Sequence, residues 1–368
     1  MTDQLHYQIA LTILPQVGAI TAKTLVSYCG SAAAVFQSSR RGLLKIPGIG
    51  PGIIDSISNA DALRKAEQEL LFLEQQQVDA IFYTDERYPV RLRQNADCPA
   101  MLYFKGSSAE LLNANWVVAI VGTRQPTDYG RAVCEEFVDG LRAYDVLVLS
   151  GLAYGIDITA HRRASTVGIP NIAVLGHGLG SIYPSQHRQS ALKLIENGGL
   201  LSEYTHQTKP DREHFPMRNR IIAGMCDALL VVETATAGGS IITAQLASQY
   251  EREIFAVPGR LNDPKSAGCN MLIRNEQAKL VETVAELANS LNWDVSGRPR
   301  QVQAQLFQEL SPEESAIVDL LRRQAEMPID ELSFNSQLSP GLLASLLLNL
   351  EFKGLVRTLP GKRYALLT

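Results

Sequence analysis

Short apolar runs punctuate the middle of the chain at a steady interval. Residues 117–121, 146–149, 172–175, 200–201, 228–232 and 254–257 carry no charge and are almost wholly Val, Ile, Leu and Ala. Their starts lie about 27 residues apart, the length of one strand, one helix and two short loops. Branched apolar runs without polar alternation indicate strands buried on both faces. Six such units predict an α/β fold, a Rossmann-like doubly wound and mostly parallel sheet with helices on both faces. Ligands on that architecture sit outside the carboxyl ends of the strands. The chain places its unusual residues there: Gly122-Thr123-Arg124, Ser150-Gly151, Gly176-His177-Gly178, Glu203-Tyr204, Glu233-Thr234 and Pro258-Gly259.

The pattern changes on either side. Residues 1–78 predict a small helical domain of helix-hairpin-helix, SAM-like type. Residues 14–25 (LPQVGAITAKTL) and 44–54 (LKIPGIGPGII) both run from an apolar residue through Pro and a Gly turn into a new helix. Such glycines let the backbone approach a phosphate, which the next helix start then faces. Pro51 suits the first helical turn but removes one donor. The same residues also describe a packing hairpin with no ligand. Residues 79–291 predict the sheet domain, with 79–114 as a leading extension. Short strands at 80–83 and 101–104 are expected to cap the sheet, with Arg91 and Arg93 solvated. Residues 292–310 read as a polar linker. In residues 311–368, three helices and a hairpin turning at Pro360-Gly361 predict a winged helix.

Composition narrows the partners. The chain has 368 residues, 46% hydrophobic and 20% charged, an ordinary globular balance. Its 34 Lys and Arg against 38 Asp and Glu give a net charge of −4, so a nucleic-acid surface must be local. The last predicted helix has no basic residue before Lys353, which favours a protein-contact or accessory role for the winged helix. Only weak wing contacts to DNA are expected, from Arg357, Lys362 and Arg363. The five cysteines are scattered and form no C-x-x-C, as expected of reduced thiols in a cytoplasmic protein. No apolar run is long enough to span a membrane, and the first residues lack the basic lead of a signal peptide.

Three glycine-rich strand ends look built for phosphate. Arg124 follows Gly122 at the first, where a guanidinium can reach an anion held by the loop. Ser150 and Gly151 mark the second. There Asp157 is read as a helix cap and Asp157–His161 as a structural pair. At the third, where a helix opens, Gly238, Gly239, Ser240 and Thr243 can present N–H and hydroxyl donors to a phosphate. Pro258–Arg260 follows, and Lys265–Asn270 (KSAGCN) reads as a small polar loop mobile enough to close over a ligand. The richest segment is KPDREHFPMRNRIIAG, residues 209–224. Lys209, Arg212, Arg218 and Arg220 can track phosphates, and Phe215 offers a face for a base. The competing reading is a charged loop anchored by a buried Phe215.

Taken in order, VAIVGTR, SGLAYGIDITAH, FPMRNRIIAG, GGSIITA and FAVPG resemble the DNA-processing protein A family (DprA, also called Smf). The resemblance runs from about Tyr88 to Val281 and extends more weakly over both ends. It departs at Ala237-Gly238-Gly239 and at Gln277-Ala278. It implies a homodimer that binds and protects single-stranded DNA and helps load the RecA recombinase, mainly in natural transformation. It carries DNA binding onto Arg124, Lys209, Arg212, Phe215, Arg218, Asn219 and Arg220. It implies no catalytic residue, metal or cofactor. The alternative is a nucleotide-binding or nucleotide-hydrolysing enzyme that uses Asp157, Glu203 or Glu233 as acid or base. A pure adaptor leaves the basic loop unexplained.

Overall fold

The computed structural model describes residues 2–293, 310–324, 326–353, 355–359 and 361–366. Six parallel strands arise from the six apolar runs: β3 (Trp116–Val121), β4 (Val146–Ser150), β5 (Asn171–Leu175), β6 (Gly198–Ser202), β7 (Ala228–Val231) and β8 (Glu253–Ala256). With β1 (Asp79–Phe82), β2 (Met101–Gly106) and β9 (Lys279–Leu280) they form one nine-stranded sheet in the order β1-β2-β6-β5-β4-β3-β7-β8-β9. Alternate residues of each strand feed opposite layers, as the pleat requires. Val117, Ala119 and Val121 face the helices His214–Met225 and Gly239–Gln249. Val118 and Ile120 face the helices Asp128–Leu141 and Ile156–Val167.

The leading extension is more than a cap. β2 pairs antiparallel with β6, and β1 pairs antiparallel with β2, so both complete the sheet. They also join it to the helical module. Ile81, Leu102 and Phe104 point into the sheet core, while Phe82, Met101 and Tyr103 point into the core of the N-terminal helices. Arg91 corrects the expectation of a solvated residue. It is buried, and its Nε donates to Asp227 Oδ1 at 2.7 Å. Arg93 is exposed, as expected.

The N-terminal helices follow the expected hairpins. Gly18 precedes the helix Ala19–Cys29, and Gly50 precedes Pro51–Ser58, with Pro51 in its first turn. The winged helix has the helices Pro312–Arg323, Ile329–Ser336 and Pro340–Phe352 and the strands β10 (Met327–Pro328), β11 (Val356–Leu359) and β12 (Arg363–Leu366). Its first helix opens on a capping box of Ser311 and Glu314. The order β10-β12-β11 adds a strand that the sequence pattern did not suggest. The expected linker falls mostly on residues 294–309, outside the described residues.

The three wing cations named from the sequence each approach the sheet domain. Lys362 Nζ lies 2.7 Å from Glu251, Arg363 lies 3.7 Å from Asp227, and the Arg357 guanidinium lies 5.7 Å from the Trp116 ring centre. No described helix is long and apolar enough to cross a membrane.

Candidate nucleic-acid interface

β3 lies between β4 and β7, and the winding leaves it in opposite directions on its two sides. A crevice opens at the carboxyl ends of strands where the order reverses in this way. A cavity of about 420 Å³ fills it, lined by Gly122, Thr123, Arg124, Asp157, Arg218, Asn219, Gly238, Gly239, Ser240 and Thr243 among others. Six of the twelve sequence-predicted binding residues therefore meet in one place: Gly122, Arg124, Arg218, Asn219, Gly239 and Ser240.

Backbone contacts fix the loop that carries Arg124. Thr123 N donates to Glu233 O at 2.6 Å, and Ile156 N donates to Thr123 O at 3.2 Å. Gly155 makes that approach possible. Its φ is +82°, and a Cβ there would lie 2.1 Å from Thr123 O. Arg124 is left exposed. The opposite wall is the start of the helix Gly239–Gln249, which no side chain caps. Uncapped N–H groups and the helix dipole favour an anion there. The Ser240 hydroxyl is already engaged, donating to Thr234 Oγ1 at 2.7 Å.

The rim adds an aromatic ring and two cations. Phe215 is half-buried beside Gly176, with its ring centre 5.9 Å from the Arg124 guanidinium and 5.8 Å from the Tyr183 ring. Lys209 and Arg212 are exposed on the loop between β6 and the helix His214–Met225. Arg124, Lys209 and Arg212 have no carboxylate partner among the described residues. On the far lip, Lys265 Nζ donates to Gln125 O at 2.7 Å, which ties the loop expected to close over a ligand to the Arg124 loop.

Other expected residues have structural duties. Arg218 is 4% exposed, and its Nη1 donates to Gly151 O at 2.7 Å and to Val174 O. Burial pulls its guanidinium down to about 10, opposed by Asp157 and assisted by Arg124. It forms the cavity floor with its donors largely engaged. Gly151 fits beneath it, since a Cβ there would lie 2.5 Å from Arg218 Nη2. Ser150 is fully buried and donates to Ile120 O at 2.6 Å. Arg220 points away from the cavity. It pairs with Glu203 and donates to Asp97 O at 2.8 Å, apart from the other predicted cations. The Asp157–His161 pair is also absent. Asp157 accepts from the backbone N–H groups of Gly151 and Ala153, while His161 Nδ1 meets Asn171 Oδ1 at 2.9 Å.

The carboxylates that an enzyme would need are dispersed. Burial raises the Glu203 carboxyl, against its ion pair with Arg220. Glu233 accepts from Thr127 N and Oγ1 at 2.8 and 2.6 Å, holding the start of the helix Asp128–Leu141. Asp157 is the one carboxylate lining the cavity among the described residues. Burial raises it, and Arg218 opposes the rise. The described residues hold no group of three or more His, Cys, Asp or Glu that could bind a metal. Thr123 and Thr234, which the sequence pattern placed at the ligand edge, and Thr243 also line the cavity; sequence reasoning did not single out Ile222 and Ala235 as lining residues.

A family model described as DNA recombination-mediator protein A matches residues 79–292. The chain belongs to this family. A second model, the DprA winged helix domain, matches residues 301–362. Protein Smf of Escherichia coli is 34% identical over 313 residues, covering 81% of this chain and 80% of its own length. Protein Smf of Synechocystis is 30% identical and covers 97% of this chain and 98% of its own. The structure of DNA processing protein A from Streptococcus pneumoniae aligns with a TM-score of 0.62 at 29% identity, over 78% of this chain and 98% of that one. The Helicobacter pylori protein, described by its single-stranded DNA binding mode, aligns with a TM-score of 0.53 at 30% identity, over 58% of this chain and 95% of its own. A DprA-family core with its winged helix thus accounts for the fold.

Proposed function

We propose that this chain is a single-stranded DNA-binding recombination mediator that acts without catalytic chemistry. It protects incoming DNA and helps load the RecA recombinase in natural transformation, working as a homodimer. The observation that carries the reading is the meeting of exposed Arg124, the half-buried ring of Phe215 and an uncapped helix start around one crevice. Lys209 and Arg212 extend the positive surface along the adjoining loop. Cations without partners suit a polyanion whose bases differ, because phosphate contacts carry no sequence information. An aromatic face accepts any base. The single-stranded DNA binding mode described for the Helicobacter pylori relative supports the same ligand class.

The test is binding of a labelled single-stranded oligonucleotide, with duplex DNA and free nucleotides as competitors. Arg124→Ala should weaken binding at any sequence and reduce the slope of log affinity on log salt by roughly 0.7. A protein that ignores the oligonucleotide and consumes free nucleotide would instead be the enzyme of the alternative reading.

A further inference from the structure

The loop that carries Lys209 and Arg212 is gripped from outside the sheet domain. Glu69, on the N-terminal helix Asp61–Gln76, is 3% exposed. Its carboxylate accepts from His206 N at 2.9 and 3.2 Å and from His206 Nδ1 at 2.6 Å. Phe72, less than one helical turn further, stacks on the same imidazole at 4.2 Å and 9°. On the opposite side of the loop, His206 O accepts from Gly180 N at 3.1 Å, and Thr208 O accepts from Gly178 N at 2.9 Å. The turn closes on itself through Thr208 N to Thr205 O at 3.0 Å. Lys209 is the next residue.

We propose that Glu69, with Phe72, is a positioning residue for single-strand binding: the helical module fixes residues 205–208 so that Lys209 and Arg212 meet DNA already ordered. This rests on the binding reading above. A buried carboxylate is an inefficient way to glue two modules, because well-packed apolar side chains serve as well or better. A carboxylate that takes a main-chain N–H and the imidazole of one residue does something apolar packing cannot, which is to fix the orientation of a peptide unit. A loop ordered in advance avoids the entropic cost of ordering on association.

The distinction between positioning and contact is measurable. A contacting residue changes both affinity and salt slope, whereas a positioning residue changes affinity at constant slope, because the same phosphates are neutralised once the loop is bound. Glu69→Ala should weaken oligonucleotide binding about tenfold with its slope unchanged, and should raise amide exchange at residues 205–212. Glu69→Gln, which keeps an acceptor for the His206 N–H, should recover most of the affinity. Lys105→Ala removes a contact to Gln76 of the same helix and should leave binding unchanged. If Glu69→Ala does not fold, Phe72→Leu carries the same expectation. Unchanged affinity in the folded variant, or a weakening equalled by Lys105→Ala, overturns the clamp. Arg124→Ala is measured in parallel. If it weakens binding and Glu69→Ala does not, the clamp alone falls; if Arg124→Ala is neutral, the site reading falls and takes the clamp with it.

Discussion

The two ends of the same sheet are both rich in arginine and use it in opposite ways. At the amino ends of the strands, Arg91, Arg252 and Arg363 are each at most 9% exposed and crowd around one buried carboxylate, Asp227. Arg91 and Arg363 face its Oδ1, Val117 N donates to Oδ2 at 2.8 Å, and Arg252 donates to the carbonyls of Arg91 and Gly224. At the carboxyl ends, Arg124, Lys209 and Arg212 stand exposed with no carboxylate among the described residues. The first group holds three parts of the molecule together: the leading extension, the sheet and the wing. The second is left for something outside the chain. Whether a cation is functional is decided by what already satisfies it, and residue type alone does not reveal that.

The largest expected effect lies at the amino end. Asp227→Ala removes the acceptor of the buried Arg91 Nε and of Val117 N, together with the carboxylate that Arg363 faces. Breaking a buried pair from one side costs about 3–5 kcal/mol. Urea unfolding should report a loss of that order, while protein that remains folded should keep its oligonucleotide affinity. A substantial fall in affinity together with an unchanged unfolding midpoint would invert the assignment of the two ends.

The next effect lies at the carboxyl end. Phe215→Ala should cost about 1–3 kcal/mol of single-strand affinity if the ring stacks a base. Its position beside Arg124, half-buried, also permits an anchoring role. Thermal unfolding of the same variant separates the two. A large drop in Tm with unchanged binding would make Phe215 an anchor and leave the cations alone to define the interface.

This contrast marks how far the sequence could be read. The parallel strands were legible because strands buried on both faces become uninterrupted apolar runs. The ligand edge was legible because glycines and Arg124 cluster where those runs stop. The strands β1 and β2 were recognised as strands but not as sheet members, since β6, the strand that β2 pairs with, comes after β3, β4 and β5 in the chain. Arg91 was misread for a similar reason: Asp227 lies 136 residues further on. Within the R-N-R motif, Arg218 and Arg220 look equivalent in one dimension. Two positions along a helix they diverge, Arg218 to the cavity floor and Arg220 to Glu203. Helical periodicity puts them on different faces, but only the fold reveals what waits on each face.

The smallest expected effect tests the comparison where the two ends could be confused. Lys362 is a wing cation, and its partner Glu251 is on the sheet domain. Both side chains are well exposed, so solvent screening leaves the pair little weight in stability. If the wing is a docking element, Lys362→Ala should shift stability slightly and leave both oligonucleotide affinity and its salt slope unchanged. If the wing also reaches DNA, the slope should fall by roughly 0.7, the loss of one phosphate contact. The slope is the sharper readout, because a released wing could alter affinity indirectly without changing how many phosphates the protein neutralises. A reduced slope would move the winged helix into the interface and extend the binding surface from one end of the sheet to the other.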